Sequence, residues 1–353
     1  MATTTTTTST TNEKGLTHDS TSEEVARVVE SVHAKYLQMC KELSGTIVGM
    51  QDVTEQLMIG ILCKGHCILQ GMPGLAKTLL ISQLARLMDL SFHRIQFTPD
   101  LMPADITGGD VLEEDRTTGR RVFRFLQGPL FANLVLADEI NRTPPKTQSA
   151  LLEAMEERQL SVGGTTYPLP EPFFVLATQN PIEVEGTYPL PEAQLDRFLM
   201  KIKVQYPNRA DEREICRRQT TDYSHDIEHV VDVQTLLQMQ SIVPKVIVAD
   251  HVYEAAIDLA RMSRPEEGKL PPELRDKVQY GAGPRASIAL LMAGKARALL
   301  HKRCHVTTDD ICAVAPPVLR HRIIPTFNAE AAGLDIDQIV KTLVDRHQAT
   351  LRA

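Results

Sequence analysis

Two rhythms of apolar and polar residues follow one another along this chain. From Val25 onward, Val29, Val32, Tyr36, Cys40 and Leu43 recur at helical spacing. Thr21-Ser22-Glu23-Glu24 precedes them as a capping box, and Gly45 offers a stop. After a short break at Ile47-Val48-Gly49, a second helix is expected over about Gln51 to Lys64. Short, largely apolar runs then take over at His66–Gln70, Ser91–Phe97, Leu134–Ala137, Phe173–Thr178 and Leu199–Val204. Such runs read as strands buried on both faces. Alternating with helices such as Lys77–Met88, they predict a parallel α/β sheet.

Two insertions interrupt this alternation. One spans about Thr98 to Gln127, with a turn expected at Thr117-Thr118-Gly119 between β-favouring residues. The other is Leu160 to Tyr167, where Gly163-Gly164 between short β-favouring runs reads as a hairpin. Beyond Tyr206-Pro207 the strands are expected to stop. Arg213–Thr220, Val233–Met239, Asp250–Met262, Arg285–Lys302 and Thr308–Ala315 read as helices, and Arg264–Pro284 as a long loop rich in Pro, Gly and charge. The expected organisation is a disordered Thr-rich tail over 1–20, an α/β domain over 21–207 and an α-helical domain over 208–353.

Composition narrows the functional classes. The 353 residues are 42% hydrophobic, normal for a globular core, and carry a net charge of −7. That balance argues against a broad nucleic-acid grip, which needs a basic face. The six cysteines form no C-x-x-C pair, which suggests reduced thiols. His301-x-x-Cys304-His305 reads as a polar helix end, because zinc would need further ligands. No run approaches the length of a membrane span, and the Thr-rich start lacks the apolar stretch of a signal peptide, so a cytoplasmic location is expected.

The chemistry centres on GMPGLAKT, Gly71 to Thr78, directly after the first apolar run. A phosphate-cradling loop needs inward-pointing backbone N–H groups and a following helix N-terminus. It also needs a lysine for the outer phosphates and a hydroxyl for Mg²⁺. Lys77 and Thr78 supply the last two, and Gly71 and Gly74 the permissive backbone. Ala76 stands where the usual pattern has glycine; it is expected at negative φ, where the helix is starting. A bare strand–turn–helix junction with no ligand is the alternative.

Asp138-Glu139 follow the apolar Leu134–Ala137 at the sheet edge where ligands of open α/β sheets bind. Asp138 is expected in the Mg²⁺ shell with Thr78, and Glu139 to orient the attacking water. An acidic helix N-cap pair is the other reading. Asn180, at the tip of Phe173–Thr178, reads either as a γ-phosphate or water ligand or as the turn residue before Pro181. Arg197 and Arg285 carry planar guanidinium groups suited to phosphate, or serve as structural ion-pair residues.

These segments resemble the MoxR family of AAA+ ATPases, from roughly Ile47 to Arg322. The resemblance is carried by GMPGLAKT from Gly71, FTPDLMPADITG from Phe97, GPLF from Gly128, LADEINRTPPKTQSALLEAMEE from Leu136, ATQNPIEVEGTYPLPEAQLDRF from Ala177 and GPRA from Gly283. It implies a five-stranded sheet in 5-1-4-3-2 order, a helical lid and a hexameric ring. Lys77, Thr78, Asp138 and Glu139 take the Walker A and Walker B roles. Asn180 takes sensor 1, Arg197 the arginine finger reaching a neighbour's ATP, and Arg285 sensor 2. Nucleotide contacts are implied for Val48, Gly49, Gly71, Pro73, Gly74, Leu75, Ala76, Lys77, Thr78 and Leu79. The two insertions match the family's helix-2 insert and pre-sensor-1 hairpin. Implied cofactors are ATP and Mg²⁺, and the implied partner is a protein with a von Willebrand factor A domain. Chaperone-like remodelling leads, with an assembly scaffold of little turnover and a nucleic-acid motor as alternatives.

Overall fold

The computed structural model describes residues 18–114, 121–180 and 187–352. Helix α1 runs over His18–Thr46 and α2 over Gln51–Leu62. The first helix therefore starts before the expected cap at Thr21. Asp19 and Ser20 are residue types at home in a first turn, so nothing obliges the helix to wait for Thr21.

Strand β1 (Cys67–Gln70) leads through the glycine loop into α3 (Lys77–Leu87) and then β2 (Phe92–Gln96). The first insertion is a short helix α4 (Pro103–Thr107) and an antiparallel hairpin, β3 (Gly108–Glu114) and β4 (Arg121–Gln127). Its expected turn at Thr117-Thr118-Gly119 lies outside the described residues. Next come β5 (Leu134–Asp138), a 3₁₀ turn at Ile140–Arg142 and α5 (Pro145–Glu157). The second insertion is the expected hairpin, β6 (Gln159–Val162) with β7 (Thr165–Pro168). Strand β8 (Phe174–Gln179), α6 (Glu192–Leu195) and β9 (Met200–Lys203) complete the sheet.

The five core strands are all parallel and lie in the order β2-β5-β8-β1-β9. In core-strand numbering that is the 5-1-4-3-2 order. The three inner strands β5, β8 and β1 are apolar and buried almost to their ends, whereas the edge strands β2 and β9 carry polar residues such as Arg94, Gln96 and Lys203. In β5, Leu134 and Leu136 join one apolar cluster while Val135 and Ala137 join the other. All four are fully buried. A polar substitution at any of them meets a core on whichever side it points.

Helices α7 (Arg209–Gln219), α8 (Val233–Ile242), α9 (Asp250–Met262), α10 (Pro284–Leu300), α11 (Thr308–Leu319), α12 (Phe327–Ala331) and α13 (Ile336–Arg352) form the rest. Strands do not stop at Pro207. Within the expected loop, β10 (Val278–Tyr280) pairs antiparallel with β11 (Ile324–Pro325). These runs are too short to show a period in the sequence. One apolar cluster continues from α1 through the sheet face carrying Leu69 and Leu136 into Ala286, Leu290 and Leu299 of α10. His33 Nδ1 lies 2.6 Å from the Leu300 carbonyl, a further tie between α1 and α10.

His66 pins three elements at the entry to β1. Its Nδ1 accepts the Val175 N–H at 3.0 Å, and its Nε2 donates to the Met155 carbonyl at 3.1 Å. Burial pushes the ring's pKa down to about 4, against the pull of the Met155 hydrogen bond. The unfolded chain takes up this proton near pH 6.5 and the folded chain near pH 4, so acid favours unfolding in that window. The contribution of His66 is whole above pH 6.5. It is expected to shrink by about 3 kcal/mol as pH falls to 4. Replacing His66 with Gln should flatten that part of a denaturant-derived stability profile between pH 4 and 7.

Candidate nucleotide-binding site

The loop between β1 and α3 is shaped by contacts as well as by glycine freedom. A Cβ at Gly71 would stand 2.7 Å from the Val204 carbonyl, so the end of β9 excludes any side chain there. Gly74 sits at φ +82° with open space around it, a conformation that glycine alone takes at little cost. Ala76 departs from expectation. Its φ is +51° and ψ 24°, left-handed rather than helical, and α3 begins one residue later. An alanine there costs about 1–2 kcal/mol relative to a right-handed position. Left-handed residues in such a loop turn backbone N–H groups toward a common point, the geometry of an anion nest.

Below the loop is a cavity of about 500 Å³. Its loop side is formed by Pro73, Gly74, Leu75, Ala76, Lys77 and Thr78, and its sheet side by Asp138, Glu139, Thr178 and Asn180 at the tips of β5 and β8. Lys77 Nζ donates to the Gly71 carbonyl and, at 3.1 Å, to the Met72 carbonyl. Burial lowers its pKa, while Asp138 and Glu139 act in the opposite sense.

The two acids share one buried hydroxyl. Thr178 Oγ1 donates to Asp138 Oδ1 at 2.6 Å and accepts the Glu139 N–H at 2.8 Å. Arg94 holds the other Asp138 oxygen at 2.6 Å. Gln96 donates to Glu139 Oε2 at 3.0 Å, and Arg142 lies 3.1 Å from the same oxygen. Glu139 is itself left-handed at φ +57°, the kind of strained residue that clusters at functional sites. Thr178, Arg94, Gln96 and Arg142 were not singled out from sequence. Arg94 and Gln96 carried a signal, as polar residues at the carboxyl end of the second strand, whose register places Gln96 beside Asp138.

Thr178→Val keeps the shape of the buried residue but strips both hydrogen bonds. Turnover of any nucleotide handled here is expected to fall on the order of 10²-fold, the cost of misplacing a catalytic group by about 1 Å. Thr178→Ser should restore most of it. Steady-state kinetics on the two variants checks this.

A second cavity, of about 370 Å³, opens from the other side of the loop. It shares Pro73, Gly74, Leu75 and Ala76 with the first and adds Val48, Gly49, Leu79, Tyr206 and Ile215. The first cavity carries Lys77, Thr78, Asp138 and Glu139; the next is walled largely by apolar residues with one aromatic ring, Tyr206, and has Glu212 and Arg218 in its lining. Together they match the two halves of a nucleotide. The oxygens of Thr78 and Asp138 in the first cavity are the donor type that Mg²⁺ takes, so the residues present fit that ion.

Residues 66–200 match the ATPase family associated with various cellular activities (AAA), and residues 274–343 match the AAA lid domain. The chain is 42% identical to the chaperone MoxR1 of Mycobacterium tuberculosis over 303 residues, 86% of this chain and 79% of that one. The chain belongs to the MoxR family of AAA ATPases. It is also 32% identical to the protein MoxR of Methylorubrum extorquens, covering 85% of this chain and 91% of that one. A crystal structure of a candidate ATPase from Cytophaga hutchinsonii superposes with a TM-score of 0.83 at 42% identity, covering 92% of this chain and 97% of that one.

In this MoxR-family chain the lid match extends past Arg322, where the sequence resemblance ended, into α13. The structure brings Lys77, Thr78, Asp138, Glu139 and Asn180 into one cavity and places Val48, Gly49 and Leu79 in the adjoining one. It does not bring Arg197 or Arg285 to either. Both line a separate cavity with Glu156 and Asp196. Arg197 follows α6, and Arg285 opens α10. The two hairpins also meet: the rings of Phe125 and Tyr167 stack with centroids 4.1 Å apart. No helix of the described residues is long and apolar enough to cross a membrane.

Proposed function

We propose that this chain binds ATP with Mg²⁺ across the two joined cavities, hydrolyses it, and works as a hexameric ring that remodels or activates a partner protein. The observation that carries this reading is the Thr178 bridge, which holds both acids opposite Lys77 and Thr78 in one cavity. Lys77 meets the outer phosphates as a point charge. Thr78 and Asp138 would hold Mg²⁺, which supplies charge neutralisation on the phosphates. Glu139, oriented by Gln96 and Arg142, accepts a hydrogen bond from the attacking water and directs it. Asn180 faces the same space and orients the γ-phosphate or that water.

Arg197 is proposed to reach the nucleotide of the next subunit. Its distance from its own phosphate cavity supports this, since a guanidinium outside the cavity contributes nothing to charge developing inside it. Arg285 shares its surroundings and is assigned the same direction. A chaperone-like role is supported by the name of the mycobacterial relative. A protein with a von Willebrand factor A domain is the partner class carried by the family resemblance, and a cytoplasmic site of action goes with it.

Phosphate release by the purified chain tests the reading. Glu139→Gln should bind ATP as the wild type does and lose nearly all turnover, because the amide keeps the shape but not the carboxylate. Wild-type turnover in this variant removes Glu139 from its role. Equal, near-zero release by both proteins points to a scaffold instead. The same variant, trapped with ATP, is the bait for recovering the partner protein.

A further inference from the structure

The cavity apart from the phosphate site, about 330 Å³ in volume, gathers four arginines, Arg158, Arg197, Arg285 and Arg322, and two carboxylates. Arg322 is the fixed member. Its side chain is only 4% exposed and lies 2.7 Å from Asp196 Oδ1. Its remaining N–H groups donate to carbonyls, including Phe198 O at 2.7 Å and Leu199 O at 3.1 Å. Arg197 and Arg285 share one carboxylate. Glu156 Oε2 lies 2.9 Å from Arg197 Nη1, and Glu156 Oε1 lies 3.9 Å from Arg285 Nη2. Arg285 also lies 3.7 Å from Asp196 Oδ2.

Each oxygen of Glu156 thus faces a different guanidinium, one from the sheet side and one from the helical side of the molecule. Two cations brought this close repel each other, and a carboxylate between them offsets the repulsion while fixing both directions. Long arginine side chains lose rotamer freedom when held, and a neighbour that holds them beforehand removes that cost from the step that uses them. All three side chains are substantially exposed, so the pairs add little to fold stability. A role in folding therefore does not account for them.

We propose that Glu156 is a positioning residue that gathers Arg197 and Arg285 into one two-pronged receptor for the terminal phosphate of a nucleotide bound by a neighbouring subunit. The inference rests on the reading that Arg197 acts across the interface. Planar, permanently charged guanidinium groups suit a phosphoryl group approached from two sides. Glu156 touches neither nucleotide nor metal; it sets the separation and aim of the groups that do.

Steady-state phosphate release by the full-length chain, at protein concentrations where activity per subunit is constant, provides the test. Glu156→Gln is expected to lower kcat by about 10- to 100-fold, as a loss of positioning does. The KM for ATP and the affinity of the subunit for a fluorescent ATP analogue should stay unchanged, as should the melting temperature. Glu156→Asp, which keeps the charge one methylene shorter, should fall between. Combining Glu156→Gln with Arg285→Ala should cost less than the product of the two single losses. Wild-type kcat in Glu156→Gln, beside a silent Arg197→Ala, overturns the positioning role and leaves the interface reading standing. Wild-type kcat in Arg197→Ala overturns the interface reading itself. Fully multiplicative losses, or a kcat loss that tracks a lowered melting temperature, would show that Glu156 does not gather the two arginines.

Discussion

Replacing Arg197 with alanine is expected to leave ATP binding by the single subunit intact and to cut turnover by about 10³–10⁵-fold. That range belongs to arginines supplied to a phosphoryl-transfer site from outside, where they meet charge that develops only in the transition state. The geometry agrees with such a group. Within its own subunit Arg197 pairs with Glu156 at 2.9 Å and approaches the Leu152 carbonyl at 3.4 Å, outside the cavity formed by Lys77, Asp138 and Glu139. Specific activity of the wild type should also rise with protein concentration and level off once assembly is complete. If Arg197 only braces its own fold, the substitution lowers the melting temperature and spares turnover. Paired titration and phosphate-release measurements separate these outcomes.

Lys77→Ala acts at the opposite end of the reaction. In the proposed reading the loss falls on binding, because the ammonium belongs to a residue that lines the cavity, is held on the Gly71 and Met72 carbonyls, and would meet the outer phosphates there. Truncating one partner of a desolvated, hydrogen-bonded charge pair costs about 2–5 kcal/mol, or about 30- to 4,000-fold in Kd. Direct titration with an ATP analogue reads this without any need for turnover. Affinity equal to the wild type would place the phosphates elsewhere.

Much of this site was legible before the structure, and the reasons are local. Buried parallel strands must be apolar on both faces, so Leu134–Ala137 and Phe174–Ala177 announce themselves as runs, and the first polar residues after them fall at the ligand edge. Asp138, Glu139 and Asn180 are found in this way. Thr178 was hidden because a hydroxyl at the end of an apolar run looks like part of the strand. Its role depends on two partners, Asp138 and the Glu139 N–H, that are brought to it only by pairing of β5 with β8. The expectation for Ala76 fails because alanine's helix propensity favours negative φ, whereas the loop imposes +51°. The strands Val278–Tyr280 and Ile324–Pro325 were missed for want of length. Glu156 carried no sequence signal of its own. It lies on an exposed part of α5 among other acidic residues, and only the approach of Arg197 and Arg285 in the folded chain shows which carboxylate meets the arginines.

The separation of Arg197 from the phosphate cavity of its own chain leads to one measurement above the others. On the proposed reading, Arg197→Ala subunits would keep a sound pocket and lose the finger, and Lys77→Ala subunits would keep the finger and lose the pocket. The two proteins, each nearly silent alone, are mixed at increasing ratios, co-assembly is verified by native mass spectrometry, and phosphate release is recorded. Catalysis across the interface predicts that activity partly returns in the mixtures, because a sound finger of one subunit meets a sound pocket of the next. Mixtures that co-assemble and remain as silent as their components would contradict it.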